Sequence, residues 1–174
     1  MTLFLKHKSE AFSVFKEWKT MIENQTEKTV KKLHTDNGME FCPNNFNTYC
    51  KSQGIVRHYT IPYTPQQNGV AERMNRTIIS WARCMLSNAG FNKCFWVEAP
   101  STSCYLINCS PLVPLDKKTP IEVCSGSPAD YSQLRVFCCT VYAHVDNGKL
   151  DPRAVKCIFI GYQHGVKGYK LWNP

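Results

Sequence analysis

Leu33-His34-Thr35-Asp36-Asn37-Gly38 runs from a β-prone segment into an Asn-Gly pair, so a strand over 29–35 is expected to end at Asp36, its carboxylate carried just past the strand. Its counterpart is Pro62-Tyr63-Thr64-Pro65-Gln66-Gln67-Asn68-Gly69-Val70-Ala71-Glu72, a loop with two prolines and a glycine that leads into a helix with Glu72 in its first turn. Thirty-five residues separate Asp36 from Glu72. They hold a short helix after Pro43, with Phe46, Tyr49 and Cys50 inward and Gly54 closing it, and a second strand over 55–61. Alternating strands and helices of this kind build an α/β layer, which brings the two carboxylates toward one spot. Taken singly, each has an ordinary explanation. Asp before Asn-Gly is a common turn residue, and Glu in a first helical turn is favoured by the helix dipole.

Working outward, Phe12, Phe15, Trp18, Met21 and Ile22 fall at helical spacing and predict a helix over 9–24. Val70, Met74, Ile78, Trp81 and Met85 form one apolar stripe on a helix over 70–88 that Gly90 ends, and they are expected to be core. A further helix over 96–107 is expected to pack through Trp96, Val97, Tyr105, Leu106 and Ile107. Prolines and a glycine then dissolve the pattern over 108–133, apart from a helical turn at 120–123. From Leu134 the chain turns to β, with a turn at Asp146-Asn147-Gly148, an apolar strand over 155–160 and a hairpin over 161–172. Three parts result: 1–90, 91–133 and 134–174.

The chain has 174 residues, 43% of them hydrophobic and 20% charged, which excludes wholesale disorder. Its longest apolar runs fall far short of the ~20 residues of a membrane span, and the N-terminus carries no secretory signal pattern, so an intracellular protein of the nucleus or cytoplasm is expected, without a membrane partner. Ten cysteines are too sparse for a disulfide scaffold in a chain of this length, none is spaced CxxC, and the five histidines are scattered. Reduced, mostly buried thiols are expected, with no structural zinc site. Asn75-Arg76-Thr77 and Asn108-Cys109-Ser110 are read as chance sequons. A net charge of +8, with +5 of it in residues 1–90, favours a polyanionic partner for the first part.

Together the segments around Asp36 and Glu72 resemble the integrase core of copia-type LTR retrotransposons, members of the RNase H-like DDE transferases. The similarity continues through Phe95-Trp96, Cys104-Tyr105-Leu106-Ile107-Asn108, Thr119-Pro120-Ile121-Glu122, Leu134-Arg135-Val136-Phe137, residues 156–162 and Gly168-Tyr169-Lys170-Leu171, and so covers essentially the whole chain. It implies a partial RNase H-like core over 1–90, a helical connector over 91–133 and a partial SH3-like β-module over 134–174, the chain being truncated at both ends. It further implies an enzyme that joins element-end DNA to target DNA with Mg²⁺ or Mn²⁺, in which Asp36 and Glu72 are the catalytic and metal-holding carboxylates. Other integrase chains are its implied partners in an oligomer.

One departure decides the expected activity. The family's first aspartate lies on an earlier strand, yet no Asp occurs among residues 1–35. Two carboxylates without a bridging third hold Mg²⁺ weakly, so the isolated chain is expected not to join DNA. The alternatives are a non-enzymatic DNA-binding or integrase-associating module, or a decayed gene fragment. Met39, Cys124 and Cys138 stand where the family usually has Gly, Trp and Gly. For DNA contact the candidates are Tyr63, Gln66, Gln67 and Asn68 in the loop, for stacking and amide contacts, and Arg73, Arg76 and Arg83 on the helix face opposite the apolar stripe. Loss of earlier strands is expected to expose apolar surface along Phe12, Phe15 and the first strand.

Overall fold

The computed structural model describes residues 3–36, 44–61, 65–90, 93–146, 148, 152–163, 165 and 168–174. The expected turns at Asn37-Gly38 and Asn147, together with Tyr63, lie outside these residues. The chain divides into two units, and the cut falls between Asn75 and Arg76.

In the first unit a 3₁₀ turn, Lys8–Glu10, leads into α1, Ala11–Thr26. Strand β1 is Lys32–Thr35, helix α2 is Asn44–Ser52 and strand β2 is Val56–Tyr59. The strands pair in parallel, with Leu33 opposite Arg57, His34 opposite His58 and Thr35 opposite Tyr59. A parallel pair needs a long crossover, and the segment containing α2 supplies it. Helix α2 stops where Gly54 takes φ +67°, a left-handed conformation that glycine adopts without strain. Phe46, Cys50 and Ile55 are buried, and Phe12, Phe15, Val30 and Leu33 pack on them. The Phe46 ring lies 5.1 Å from Phe12 and 5.2 Å from Phe15, a burial that stabilises by about 2–3 kcal/mol for Phe46 alone. Phe12 and Phe15 are therefore half-buried, contrary to expectation. The exposed apolar residues of this unit are instead Leu3, Phe4, Leu5, Val56, Tyr59, Ile61, Val70 and Met74.

Helix α3, Gly69–Ala89, forms where its periodicity placed it, but its buried face differs from the expected stripe. Val70 is 79% exposed, Met74 46% and Trp81 38%, whereas Ala82 and Leu86 are buried. At 100° per residue Ala82 and Leu86 centre about 100° around the helix from the expected stripe. The reason is the company it keeps: Ala82 and Leu86 join Phe95, Ala99, Phe137 and Ile160, with Met85 and Ile158 beside them, in the core of the second unit. Only the later turns of α3 reach those partners.

In that second unit, α4 is Glu98–Asn108, α5 is Pro120–Ser125, and β3 (Thr140–His144), β4 (Ala154–Tyr162) and β5 (Tyr169–Trp172) make an antiparallel sheet in the order β3-β4-β5. Thr119 and Glu122 close a reciprocal capping box on α5. Helix α4 buries Ala99, Pro100, Thr102, Ser103 and Ile107. Of the apolar residues expected to pack there only Ile107 is buried, and Trp96 and Val97 are exposed. Small side chains let the helix backbone approach β4 closely, and that closeness excludes the larger ones.

Candidate functional site

Asp36 follows the last residue of β1 directly and is exposed; the ladder next to it continues in the Thr60 N–H, which donates to the Thr35 carbonyl at 3.1 Å. Glu72 is exposed in the first turn of α3. Both carboxylates belong to the first unit. Among the described residues, no group of three or more His, Cys, Asp and Glu side chains is arranged to hold a metal ion. Two carboxylates are the hard oxygen donors that Mg²⁺ takes, but this donor set does not fit a centre of two ions.

Of the DNA-contact candidates, Gln66, Gln67 and Asn68 belong to a 3₁₀ turn, Pro65–Asn68, that runs directly into α3; Gln66 is exposed and Asn68 half-buried. Arg73, Arg76 and Arg83 are all exposed on α3, and Arg73 Nε donates to the Gly69 carbonyl at 3.3 Å. By helical geometry the three fall within an arc of about 80°, away from buried Ala82 and half-buried Met85. In the second unit Lys170 Nζ meets Glu98 Oε1 at 3.3 Å.

Arg57 organises the surroundings of Asp36 without belonging to any motif. Its Nη1 donates to Asn47 Oδ1 at 2.6 Å and its Nη2 to Thr35 Oγ1 at 3.1 Å. Its guanidinium lies 4.6 Å from the Phe46 ring centroid and 4.4 Å from that of Tyr59, as cation–π contacts do. One side chain thereby ties β1, α2 and β2 together next to Asp36. The available signal was an arginine alternating with Ile55 and Tyr59 on one strand. Beside it, burial pushes the Cys50 thiol up, the Arg57 charge opposing.

The second unit carries a cleft of about 450 Å³ lined by α4, the end of β4 and Lys170. On its wall Tyr105 and Tyr162 stack with centroids 3.9 Å apart. Burial, reinforced by the Cys109 thiol, pushes the Tyr105 phenol up to about 12, and burial raises that of Tyr162. Both phenols stay neutral at physiological pH. All nine described cysteines are free thiols.

A parallel strand pair ending in an exposed carboxylate, followed by a long helix and a three-stranded antiparallel module, defines a mixed α/β chain with an integrase-like core and an SH3-like end. Residues 139–174 match the retroviral polymerase SH3-like domain. Over 173 residues, 98% of this chain, the sequence is 47% identical to the retrovirus-related Pol polyprotein from transposon TNT 1-94 of Nicotiana tabacum. Over 168 residues it is 34% identical to that from transposon RE2 of Arabidopsis thaliana. The chain spans 13% and 11% of the lengths of these two relatives. In fold it is similar to a chain in the cryo-electron microscopy structure of the simian T-cell lymphotropic virus intasome in complex with PP2A regulatory subunit B56 gamma. There the TM-score is 0.54 at 18% identity, over 97% of this chain and 63% of that one. Over nearly its whole length the chain is thus similar to one segment of the retrovirus-related Pol polyproteins of transposons.

Among the described residues no helix is long and apolar enough to cross a membrane.

Proposed function

We propose that the chain's inherited role is the joining of element-end DNA to target DNA, in company with other integrase chains, and that in isolation it binds DNA without joining it. The observation that carries this reading is Asp36, set immediately beyond the carboxyl end of β1 in a parallel pair, with Glu72 in the first turn of α3 thirty-five residues on. In open α/β sheets ligands bind outside the carboxyl ends of the strands. A set of two carboxylates leaves Mg²⁺ or Mn²⁺ held mostly by water, so cation binding by the chain alone is weak.

What the chain's own residues do in this reading is bind. Arg73, Arg76 and Arg83 present cations to phosphates along one arc of α3, and Tyr63, Gln66, Gln67 and Asn68 of the preceding sequence are the residue types that add stacking and amide contacts. Such a role belongs in the nucleus or cytoplasm. A second reading, a non-enzymatic DNA-binding or integrase-associating module, draws support from the absence of a third acidic ligand among the described residues.

The test incubates purified chain with a labelled element-end duplex and target DNA in Mg²⁺ or Mn²⁺. Salt-sensitive binding with no joined product is expected. Joined product that disappears in Asp36→Asn would overturn the inactivity of the isolated chain, and no binding at low salt would overturn the DNA reading.

A further inference from the structure

Between α4 and α5 the second unit carries a loop clasped by its own backbone. The Leu112 N–H donates to the Lys118 carbonyl at 3.0 Å, and the Lys117 N–H donates back to the Leu112 carbonyl at 3.0 Å. Within the clasp a 3₁₀ turn, Val113–Leu115, contains Pro114 and runs into Asp116 and Lys117, which take φ +51° and +64°. Val113 is 83% exposed at the tip, beside exposed Pro114, and Lys117 and Lys118 are exposed behind it. We propose that this tip is a wedge that enters the minor groove of duplex DNA, parts one base step and bends the duplex, with Lys117 and Lys118 on the flanking phosphates. The inference rests on the DNA-binding reading above and adds to it a contact separate from α3.

Wedges of this kind are small, apolar and stiff. Proteins that kink DNA from the minor groove insert apolar side chains, proline among them, between base steps and bend the duplex by about 20–90°. The groove is ~6 Å wide, which admits a tip of two small side chains and excludes a helix. Stiffness matters because unstacking already costs free energy, and ordering a floppy loop would add to it. Here the clasp and the fixed φ of Pro114 hold the shape, and two successive left-handed residues without glycine show that it is kept against strain. Half-buried Leu112 and Leu115 anchor the loop from below. Its charge suits a polyanion, two lysines against Asp116 alone. A protein partner suits it less well. A stable protein interface buries about 800 Å² on each side, whereas this apolar tip gives way at once to Asp116, Lys117 and Lys118.

The experiment titrates the purified full chain into a duplex with donor and acceptor dyes at its ends and 2-aminopurine at a central TA step, a step that kinks readily. Anisotropy follows binding, energy transfer follows bending and 2-aminopurine emission follows unstacking. With the wild-type chain all three signals are expected to rise together. Val113→Ser with Pro114→Ala should abolish the bending and unstacking signals while leaving the salt slope of binding unchanged. Lys117→Gln with Lys118→Gln should reduce that slope by about 2. Val113→Phe, a larger wedge on the same loop, should raise the 2-aminopurine signal, and urea midpoints check that every variant is folded. No duplex binding at low salt would remove the DNA reading and this inference with it. Binding without bending, or bending that Val113→Ser with Pro114→Ala leaves intact, would overturn the wedge alone. Altered self-association of that variant in the ultracentrifuge, with its DNA signals unchanged, would assign the tip to a protein contact and overturn the wedge as well.

Discussion

Gly161 and Thr102 approach so closely that a Cβ built on the glycine would stand 2.8 Å from Thr102 Oγ1. Thr102 is 2% exposed, its hydroxyl donates to the Ile160 carbonyl at 3.4 Å, and Gly161 has φ +149°. Helix α4 therefore docks on β4 at backbone range, beside the register shift between Phe159 and Gly161. Gly161→Ala is expected to destabilise by about 2–3 kcal/mol in urea unfolding, through overpacking and a backbone angle that alanine adopts poorly. Repeating it in a Thr102→Ala background should lower that cost, because the obstructing hydroxyl is gone while the φ strain persists. Equal costs in both backgrounds would show that the close contact contributes nothing.

An acid-sensitive lock fastens α1. Lys19 is buried, and its Nζ donates to Glu23 Oε2 at 2.7 Å and Gln53 Oε1 at 3.2 Å, while Glu23 Oε1 accepts the Val30 N–H at 2.8 Å. These bonds, that from Lys19 foremost, hold the Glu23 carboxyl below its ordinary 4.5. A carboxyl depressed in the folded state stabilises fully above its unfolded value, and the contribution is lost as pH falls through the folded one. Glu23→Gln should therefore lower the urea midpoint at neutral pH and flatten the acid limb of the stability–pH curve. An unchanged acid limb would assign it to other carboxylates.

Exposed apolar residues in the first unit invite a contrast. Val70 and Met74 face solvent on α3, whereas Phe46 is wholly buried under two aromatic neighbours. Val70→Ser with Met74→Gln is expected to change stability by less than about 0.5 kcal/mol per site and to reduce both dye binding and aggregation. Phe46→Ala should cost about 3–5 kcal/mol. If the surface pair destabilises the chain as much as Phe46→Ala does, those residues are packed in solution.

What the sequence made legible was local. Gly54 closing α2, Phe46 and Cys50 inward, Gly90 ending α3, and Asp36 and Glu72 at a strand end and in a first helical turn all follow from short-range rules. The inward face of α3 did not, because periodicity marks a stripe of large residues and burial is decided by partners. Ala82 is buried by side chains as distant in sequence as Phe137 and Ile160. Helix α4 hid its core face for the same reason, since Ala99, Thr102 and Ser103 look like a neutral surface until β4 lies against them. The stacking of His34 on His58 and the reach of Arg57 to Thr35 both depend on parallel register, which hydrophobic pattern alone does not set.

The arginines of α3 provide the sharpest test of DNA contact. Arg73, Arg76 and Arg83 share an arc, and Glu72 lies at its edge, so three cations and one anion would face a phosphate backbone together. Each phosphate neutralised by a cation releases counterions, which steepens the fall of log affinity with log salt by about 0.9. Arg76→Gln with Arg83→Gln is therefore expected to reduce the slope by about 2, measured by fluorescence anisotropy on duplex DNA across low to moderate salt. The loss should be nearly the same for any duplex sequence, because phosphate contacts position without reading bases. Glu72→Gln should shift affinity the other way, since it removes the one negative charge on that arc. A slope that the double substitution leaves intact would mean that α3 points its arginines at solvent, and that any DNA held by this chain lies elsewhere.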